Sequence, residues 1–290
     1  MISTNKPNFE NFKLIDSHVH FWNISKLQYP WLKDISELNK SFELKEFQKE
    51  TMQLNIEKLV FIQCECLPNF YKNEIAYIQE LSETDSRIEA IISYFPLEHK
   101  DAYTLLTDLV KNPKIKGIRR LEEEPTSLYN QTDFIHNFHL LSEFNLTFDL
   151  GVKAHQLDAA IQLVNQFPNQ KFILDHFGKP SVKQKEMELW KSQMNLLSSH
   201  PNVYCKLSGL ITESDLTHWK LEDLQAYVDY AIETFGTKRL TFGSDWPVVT
   251  LGANYKTWLS TAFELCKHLS DTELHQIFYQ NALEFYQLES

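Results

Sequence analysis

Short apolar runs alternate along the chain with stretches that have the hydrophobic spacing of amphipathic helices. The apolar runs cover residues 12–15, 58–62, 88–94, 115–119, 146–150, 171–174, 203–207 and 239–242. The helical spacing occurs in residues 44–54, 74–81, 101–110, 133–144, 155–167, 187–197, 224–235, 255–269 and 271–286. Short continuous apolar runs are typical of strands buried on both faces, and their alternation with helices predicts a parallel sheet.

The number and order of these units predict the fold class. Eight strand-then-helix units in 290 residues indicate an α/β protein, and a closed (β/α)8 TIM barrel in preference to an open sheet. With seven glycines and ten prolines, the chain has no flexible stretch that would mark a domain boundary. We therefore expect residues 1–290 to form a single barrel domain.

Polar residues gather where the apolar runs end. In parallel barrels the catalytic side chains lie at the carboxyl ends of the strands. The candidates in chain order are His18, His20, Gln63, Glu65, Arg119, Arg120, Asp149, Asp175, His176, Lys206, Ser208 and Asp245. Asp245 is followed by Trp246 and Pro247, and the proline ends the last run beside an acid.

The alternation of side chains along a strand predicts which candidates share a face. His18 and His20 are two residues apart, so both should point into the barrel mouth. Arg119 and Arg120 are adjacent, so at most one of them should face the lumen, and alternation does not say which. The same reasoning predicts that only one member of the pair 175–176 faces the lumen.

Three histidines and an acid at one end of the predicted barrel indicate a metal centre. Each residue also has a structural interpretation: a strand-end histidine is more often a hydrogen-bonded structural residue, Arg119 and Lys206 could pair with loop acids, and Glu65 could cap a helix. The coincidence of these residues at the ends of the first, sixth and eighth runs favours the metal. Three imidazoles and a carboxylate suit one divalent ion, zinc or manganese, with room for a water. The predicted ligands are His18, His20, His176 and Asp245.

Composition excludes some partners and compartments. The chain has 39 acidic and 28 basic residues, for a formal charge of −11, which argues against nucleic acid and anionic membranes as partners. The four cysteines, Cys64, Cys66, Cys205 and Cys266, form no CxxC pair, so we expect them to be reduced and buried. No run approaches about 18 apolar residues and no apolar leader is present. We expect a cytoplasmic protein with a small-molecule substrate, and the sequence leaves a homo-oligomer open.

Four segments resemble the amidohydrolase-related family. They are IDSHVHFW at 15–22, LDHFGKP at 174–180, KLSG at 206–209 and GSDWP at 243–247. Within that family they are most similar to the branch of sugar-lactone and 2-pyrone-4,6-dicarboxylate lactonases. The resemblance runs from about residue 14 to the C-terminus, and the second and fourth segments together are more specific than the HxH pair.

The resemblance implies a hydrolase that opens a small cyclic ester, such as a fucono- or rhamnonolactone or a pyrone dicarboxylate. It implies that Asp245 activates the water and that one zinc ion at most is held by the predicted ligands, with Glu65 where some members add a ligand. The binuclear members carry a lysine at the end of the fourth strand, where this chain has Arg119 and Arg120. No histidine ends the fifth run, and some similar lactonases work without metal.

The resulting hypothesis gives each candidate a role. Asp245 is the general base and His176 helps to polarise the ring carbonyl. The candidate substrate-binding residues are Gln63, Arg119, Arg120, Lys206, Trp22 and Trp246, with loop packing an equal alternative for the tryptophans. Two other functions stay open: a metal-dependent decarboxylase with the same ligand set, and a non-catalytic small-molecule binder on a barrel scaffold.

Overall fold

The chain folds into a closed barrel of eight parallel strands, which confirms the predicted fold class. The computed structural model describes residue 10 and residues 12–289. The strands are β1 (Leu14–Val19), β2 (Ile56–Ile62), β3 (Ile88–Ser93), β4 (Ile115–Leu121), β5 (Thr147–Gly151), β6 (Phe172–Leu174), β7 (Val203–Leu207) and β8 (Leu240–Phe242). Each pairs in parallel with the next.

Closure of the barrel occurs just beyond the last strand, beside the HxH pair. Val19 forms a parallel bridge with Trp246. The backbone N–H of Asp245 donates to the carbonyl of His18 at 2.8 Å, and the N–H of His20 donates to the carbonyl of Trp246 at 2.8 Å. The closing hydrogen bonds therefore bring Asp245 directly against both histidines of β1.

Helices surround the barrel in the predicted order. They are α1 (Leu44–Thr51), α2 (Tyr71–Thr84), α3 (Ala102–Leu109), α4 (Thr132–Asn137), α5 (Leu140–Glu143), α6 (Leu157–Gln166), α7 (Glu188–Ser198), α8 (Leu221–Phe235), α9 (Tyr255–Leu265), α10 (Asp271–His275) and α11 (Asn281–Phe285). Two predicted helices are interrupted. The stretch 133–144 divides into α4 and α5, and 271–286 contains a π-helical turn at Gln276–Gln280. In the described part of the chain, no helix is long and apolar enough to cross a membrane.

The core has an outer and an inner part. Outward strand residues such as Leu59, Phe148 and Phe172 belong to a large cluster with the surrounding helices. The inner cluster joins inward strand residues to the C-terminal segment: Ile15, Val60, Ile62, Ala90, Ile92, Ile173, Phe285, Tyr286 and Leu288. The lumen is therefore filled with side chains, and the C-terminal segment closes its lower end. All four cysteines are buried and free.

Candidate active site

The candidate site centres on the carboxylate of Asp245, which three imidazoles face. The Oδ1 atom of Asp245 lies 3.7 Å from Nε2 of His18, 3.3 Å from Nε2 of His20 and 3.9 Å from Nε2 of His176. The Nε2 atoms of His18 and His20 are 3.1 Å apart. All four residues are buried. We call His18, His20 and His176 the three site histidines.

The other ring nitrogen of each site histidine is held from outside the centre. Nδ1 of His20 lies 2.8 Å from the carbonyl oxygen of Ile62, and Nδ1 of His176 lies 2.8 Å from Oγ of Ser208. Nδ1 of His18 lies 3.4 Å from Oδ1 of Asp175 and 3.1 Å from Nζ of Lys206. Histidines that bind metals through Nε2 are usually oriented at Nδ1 by carbonyls, carboxylates or other polar groups.

The donor atoms fit a divalent ion. Ligand atoms of His18, His176 and Asp245 all lie within 4.8 Å of one another. His20 is outside this set, although its Nε2 atom lies 3.1 Å from that of His18 and 3.3 Å from Oδ1 of Asp245. Zinc bonds of about 2.0–2.1 Å in a tetrahedron separate the ligand atoms by roughly 3.3 Å. The distances of 3.1 to 3.9 Å among these donors scatter around that value. Imidazole nitrogens with a carboxylate oxygen are donors that zinc prefers.

Unusual backbone conformations aim the two loop residues at the centre. Asp245 has φ 58° and His176 has φ 52°, values in the left-handed region that non-glycine residues seldom adopt. At His176 this turn breaks the alternation of side chains. Asp175 and His176 therefore both point into the lumen, and the prediction that only one of them would do so is wrong. Gly209 packs against the His176 ring so closely that a Cβ would come within 2.6 Å of it.

A chain of buried charges lies directly beneath the three site histidines. Nζ of Lys206 lies 2.6 Å from Oδ2 of Asp149 and 2.9 Å from Oδ1 of Asp175. Nε of Arg119 donates to Oδ2 of Asp175 at 2.7 Å. The hydroxyl of Tyr286 donates to Oδ2 of Asp149 at 2.9 Å. Each buried cation is thus matched with a carboxylate, as burial of charge requires.

Burial and neighbouring charges set the ionisation of the site. Burial would raise the pKa of Asp245, but the charges of the site histidines outweigh it and hold that pKa well below its usual range. Burial lowers the pKa of His176 to about 4, against the opposing effect of Asp245. Burial, followed by the charge of Lys206, also lowers the pKa of His18. At neutral pH the carboxylate of Asp245 is therefore ionised, and the imidazoles of His18 and His176 are neutral.

The two arginines point in different directions. Arg119 faces the site, whereas Arg120 donates to Glu98 at 2.7 Å and to Glu123 at 3.0 Å on the outer side. A cleft extends outward from the floor formed by Arg119, Asp175 and His176. Its lining continues through Glu122, Gly151, Val152, Lys153, Gln156 and Lys179.

The other predicted site residues lie around the centre. Gln63 is buried and bonds to the half-buried Glu65 through its side-chain amide, and Glu65 is not among the residues whose ligand atoms lie within 4.8 Å of one another. Trp22 and Trp246 are fully buried, and Trp246 packs between aromatic rings behind the site. Lys206 has no exposed surface, so its amine contacts the network and not the cleft.

The sequence analysis assigned no role to several residues that lie in the site. Lys153, Gln156 and Lys179 line the cleft but lie in loops, where residue type alone does not indicate a pocket. Asp149 and Tyr286 are paired across 137 positions of the chain. Asp149 was among the strand-end candidates but received no role, whereas nothing in the sequence around Tyr286 indicates contact with the lumen.

A (β/α)8 barrel whose mouth places three imidazoles around one carboxylate is typical of hydrolases that can use a metal ion. Residues 15–288 match the amidohydrolase family, and the chain belongs to that family. It is 27% identical to an L-fucono-1,5-lactonase from Burkholderia ambifaria, over 95% of this chain and 96% of that protein. It is 23% identical to an L-rhamnono-gamma-lactonase from Scheffersomyces stipitis, over 96% and 99% of the two chains.

Solved structures show the same likeness. An amidohydrolase from Burkholderia multivorans with bound zinc superposes with a TM-score of 0.86 at 26% identity, covering 96% of this chain and all of that one. The fold of this chain is thus matched by a structure in which zinc is bound.

Proposed function

We propose that this protein hydrolyses the ester bond of a small, uncharged, polyhydroxylated lactone. The observation that carries the proposal is the ionised carboxylate of Asp245 in contact with the three site histidines at the mouth of the barrel. The near full-length similarity to two sugar-acid lactonases supports the same chemistry. L-Fucono-1,5-lactone is the first substrate to test.

We assign each residue of the site a separate role in hydrolysis. Asp245 holds the attacking water and accepts its proton, because its carboxylate stays ionised at neutral pH. Oγ of Ser208 bonds to Nδ1 of His176. When Ser208 donates, Nε2–H of the ring can stabilise the developing negative charge on the carbonyl oxygen; when Ser208 accepts, the unprotonated Nε2 can hold a metal ion instead. A divalent ion, zinc in our proposal, would be held by the three site histidines and Asp245 and would supply Lewis-acid polarisation there.

The pairing of the buried cations favours an uncharged substrate over a dicarboxylate. Nε of Arg119 already donates to Asp175, and Lys206 is enclosed between Asp149 and Asp175. Arg120 is turned away towards Glu98. In the described residues no second guanidinium faces the floor of the site. A substrate carboxylate could pair with the amines of Lys153 and Lys179 at the rim, but a second one buried at the floor would lack a partner.

The rim of the cleft presents donors and acceptors instead. Lys153, Gln156 and Lys179 offer donors beside the carboxylate of Glu122. Mixed donors and acceptors at short spacing suit the vicinal hydroxyl groups of a sugar-acid ring. The cleft thus provides a place for the polyol side of the substrate next to His176.

The test is a pH-indicator assay of lactone opening with the purified protein, with and without added zinc. The panel holds L-fucono-1,5-lactone, rhamnonolactone, matched lactones that differ only by a terminal carboxylate, and 2-pyrone-4,6-dicarboxylate. We expect kcat/KM for the uncharged lactones to exceed that for the carboxylate-bearing ones by at least about 100-fold, equivalent to roughly 2.7 kcal/mol. Failure to open any lactone would refute the lactonase, whereas preference for the dicarboxylate would refute only the charge argument.

A further inference from the structure

We propose that Tyr286, four residues from the end of the chain, is a positioning residue for the catalytic centre. It acts through Asp149 and Lys206 on the ring of His18. The expected effect of Tyr286 on kcat rests on the proposed function, whereas its expected effect on the position of the His18 ring does not. Tyr286 is fully buried and is not among the residues that line the cleft, so it does not touch the substrate.

The first step is the entry of Tyr286 into the barrel from below. Asn281, at the start of α11, donates to the carbonyls of Thr237 and Leu240 at 2.7 Å each. These carbonyls mark the amino end of β8, so α11 lies at the end of the barrel opposite to the site. From there the fully buried ring of Tyr286 packs in the lumen with inward residues such as Ile15.

The second step is the contact between this ring and the charged network. The hydroxyl of Tyr286 donates to Oδ2 of Asp149 at 2.9 Å, and Nζ of Lys206 donates to the same oxygen at 2.6 Å. The other oxygen of Asp149, Oδ1, is buried and has no hydrogen-bond partner in the described part of the chain. Tyr286 and Lys206 therefore hold the carboxylate between them by a single oxygen.

The third step reaches the catalytic centre. The amine of Lys206 also lies 3.1 Å from Nδ1 of His18 and 2.9 Å from Oδ1 of Asp175. It touches the nitrogen of His18 that faces away from Asp245, so the position of this amine influences which way the ring presents Nε2. A network of fully buried polar groups transmits such a displacement because water cannot replace a lost partner.

Removal of the tyrosine hydroxyl should therefore disturb His18. Without it, the Asp149 carboxylate is free to rotate and offer either oxygen to Lys206, and the amine can move off the His18 ring. Tyr286→Phe keeps the aromatic ring in the lumen and deletes only this hydrogen bond. The matched control is Tyr227→Phe, which removes the hydroxyl of another buried tyrosine whose partner is the carbonyl of Ser181 on the outside of the barrel.

The experiment first measures the NMR resonances of His18 and then the steady-state kinetics. In metal-free protein labelled with 15N-histidine, the His18 resonances, assigned with a His18→Asn variant, should shift in Tyr286→Phe and stay unchanged in Tyr227→Phe. With a lactone that is opened, kcat should fall about 5- to 20-fold in Tyr286→Phe while KM changes less than twofold. The resonances decide the structural claim even if no lactone is opened.

A second variant tests the route. If Tyr286 acts through Asp149, adding Tyr286→Phe to Asp149→Asn should lower kcat less than twofold further. The inference would be overturned if the two substitutions lowered kcat by fully multiplicative factors. It would also be overturned if the Tyr286→Phe protein lost thermal stability like the control but kept the wild-type His18 resonances. A shift of His18 together with non-multiplicative kinetics would establish Tyr286 as a positioning residue.

Discussion

Replacement of Asp245 by asparagine tests the proposed mechanism most directly. Asparagine has nearly the same shape but cannot accept the proton of the attacking water. Loss of a positioned general base typically lowers the rate by about 10²–10⁴-fold, which corresponds to roughly 2.7–5.4 kcal/mol in the barrier. We expect kcat to fall within this range and KM to change much less, because the base acts in the transition state.

The backbone at this position allows the substitution to be interpreted. Asp245 has φ 58°, and asparagine is one of the few residues that tolerate the left-handed region well. The hydrogen bond from its backbone N–H to the carbonyl of His18 does not depend on the side chain. The barrel should therefore close normally, and the melting temperature should show no large loss of stability.

The assay must separate the role of base from that of metal ligand. Steady-state kinetics would be measured with metal content, at saturating zinc, alongside Asp229→Asn, an exposed aspartate on α8. If zinc restores the rate of Asp245→Asn, the carboxylate is needed only to hold the ion. A folded variant with wild-type turnover would refute the reasoning and move the base elsewhere, with His176 the next candidate.

Three further predictions follow from burial and contacts. Arg119→Met should lower kcat/KM about tenfold or more, because it removes the charge-assisted hydrogen bond to Asp175 at the floor of the site, of about 1.5–3 kcal/mol, whereas Arg120→Met should leave kcat/KM within about twofold in the same steady-state assay. Burial raises the pKa of Glu74 to about 8 from 4.5, so protonation of this carboxyl group stabilises the folded chain. This contribution to the free energy of unfolding is complete below pH 4.5 and is lost as the pH rises through 8. Urea unfolding between these values should show stability falling by up to about 1.4 kcal/mol per pH unit from this group, and Glu74→Gln should remove that slope. Gly209→Ala should lower kcat and thermal stability more than Gly236→Ala, because both have φ 68° but only the first Cβ meets a site histidine.

The fold could be predicted because apolar runs report burial on both faces of a strand. Every predicted run overlaps one strand of the barrel. The largest disagreement concerns β1, which continues through polar residues to Val19. Those residues are buried because Asp16 accepts hydrogen bonds from the backbone N–H groups of His18 and Ser244, so hydrophobicity could not indicate them.

The centre of the site could be predicted in outline, because the ends of parallel strands meet at one rim. His18 and His20 lie together as alternation predicts, with their Nε2 atoms 3.1 Å apart. Alternation failed at His176 because two successive residues, His176 and Phe177, have positive φ. Neither is glycine, so residue type gave no warning of the turn.

The depth at which an inward side chain lies is harder to predict than its direction. Inward residues of alternate strands fill a barrel in layers, and Asp149 on β5 and Lys206 on β7 are both on odd-numbered strands. This relation explains why they pair beneath the site instead of meeting the substrate. A layer of charge in place of branched apolar side chains must be held by pairing, since packing cannot compensate a lone buried charge. Tyr286 contributes to that pairing from the apolar segment below. The C-terminal segment that closes the lower end of the barrel therefore also helps to position the side chains at its upper end.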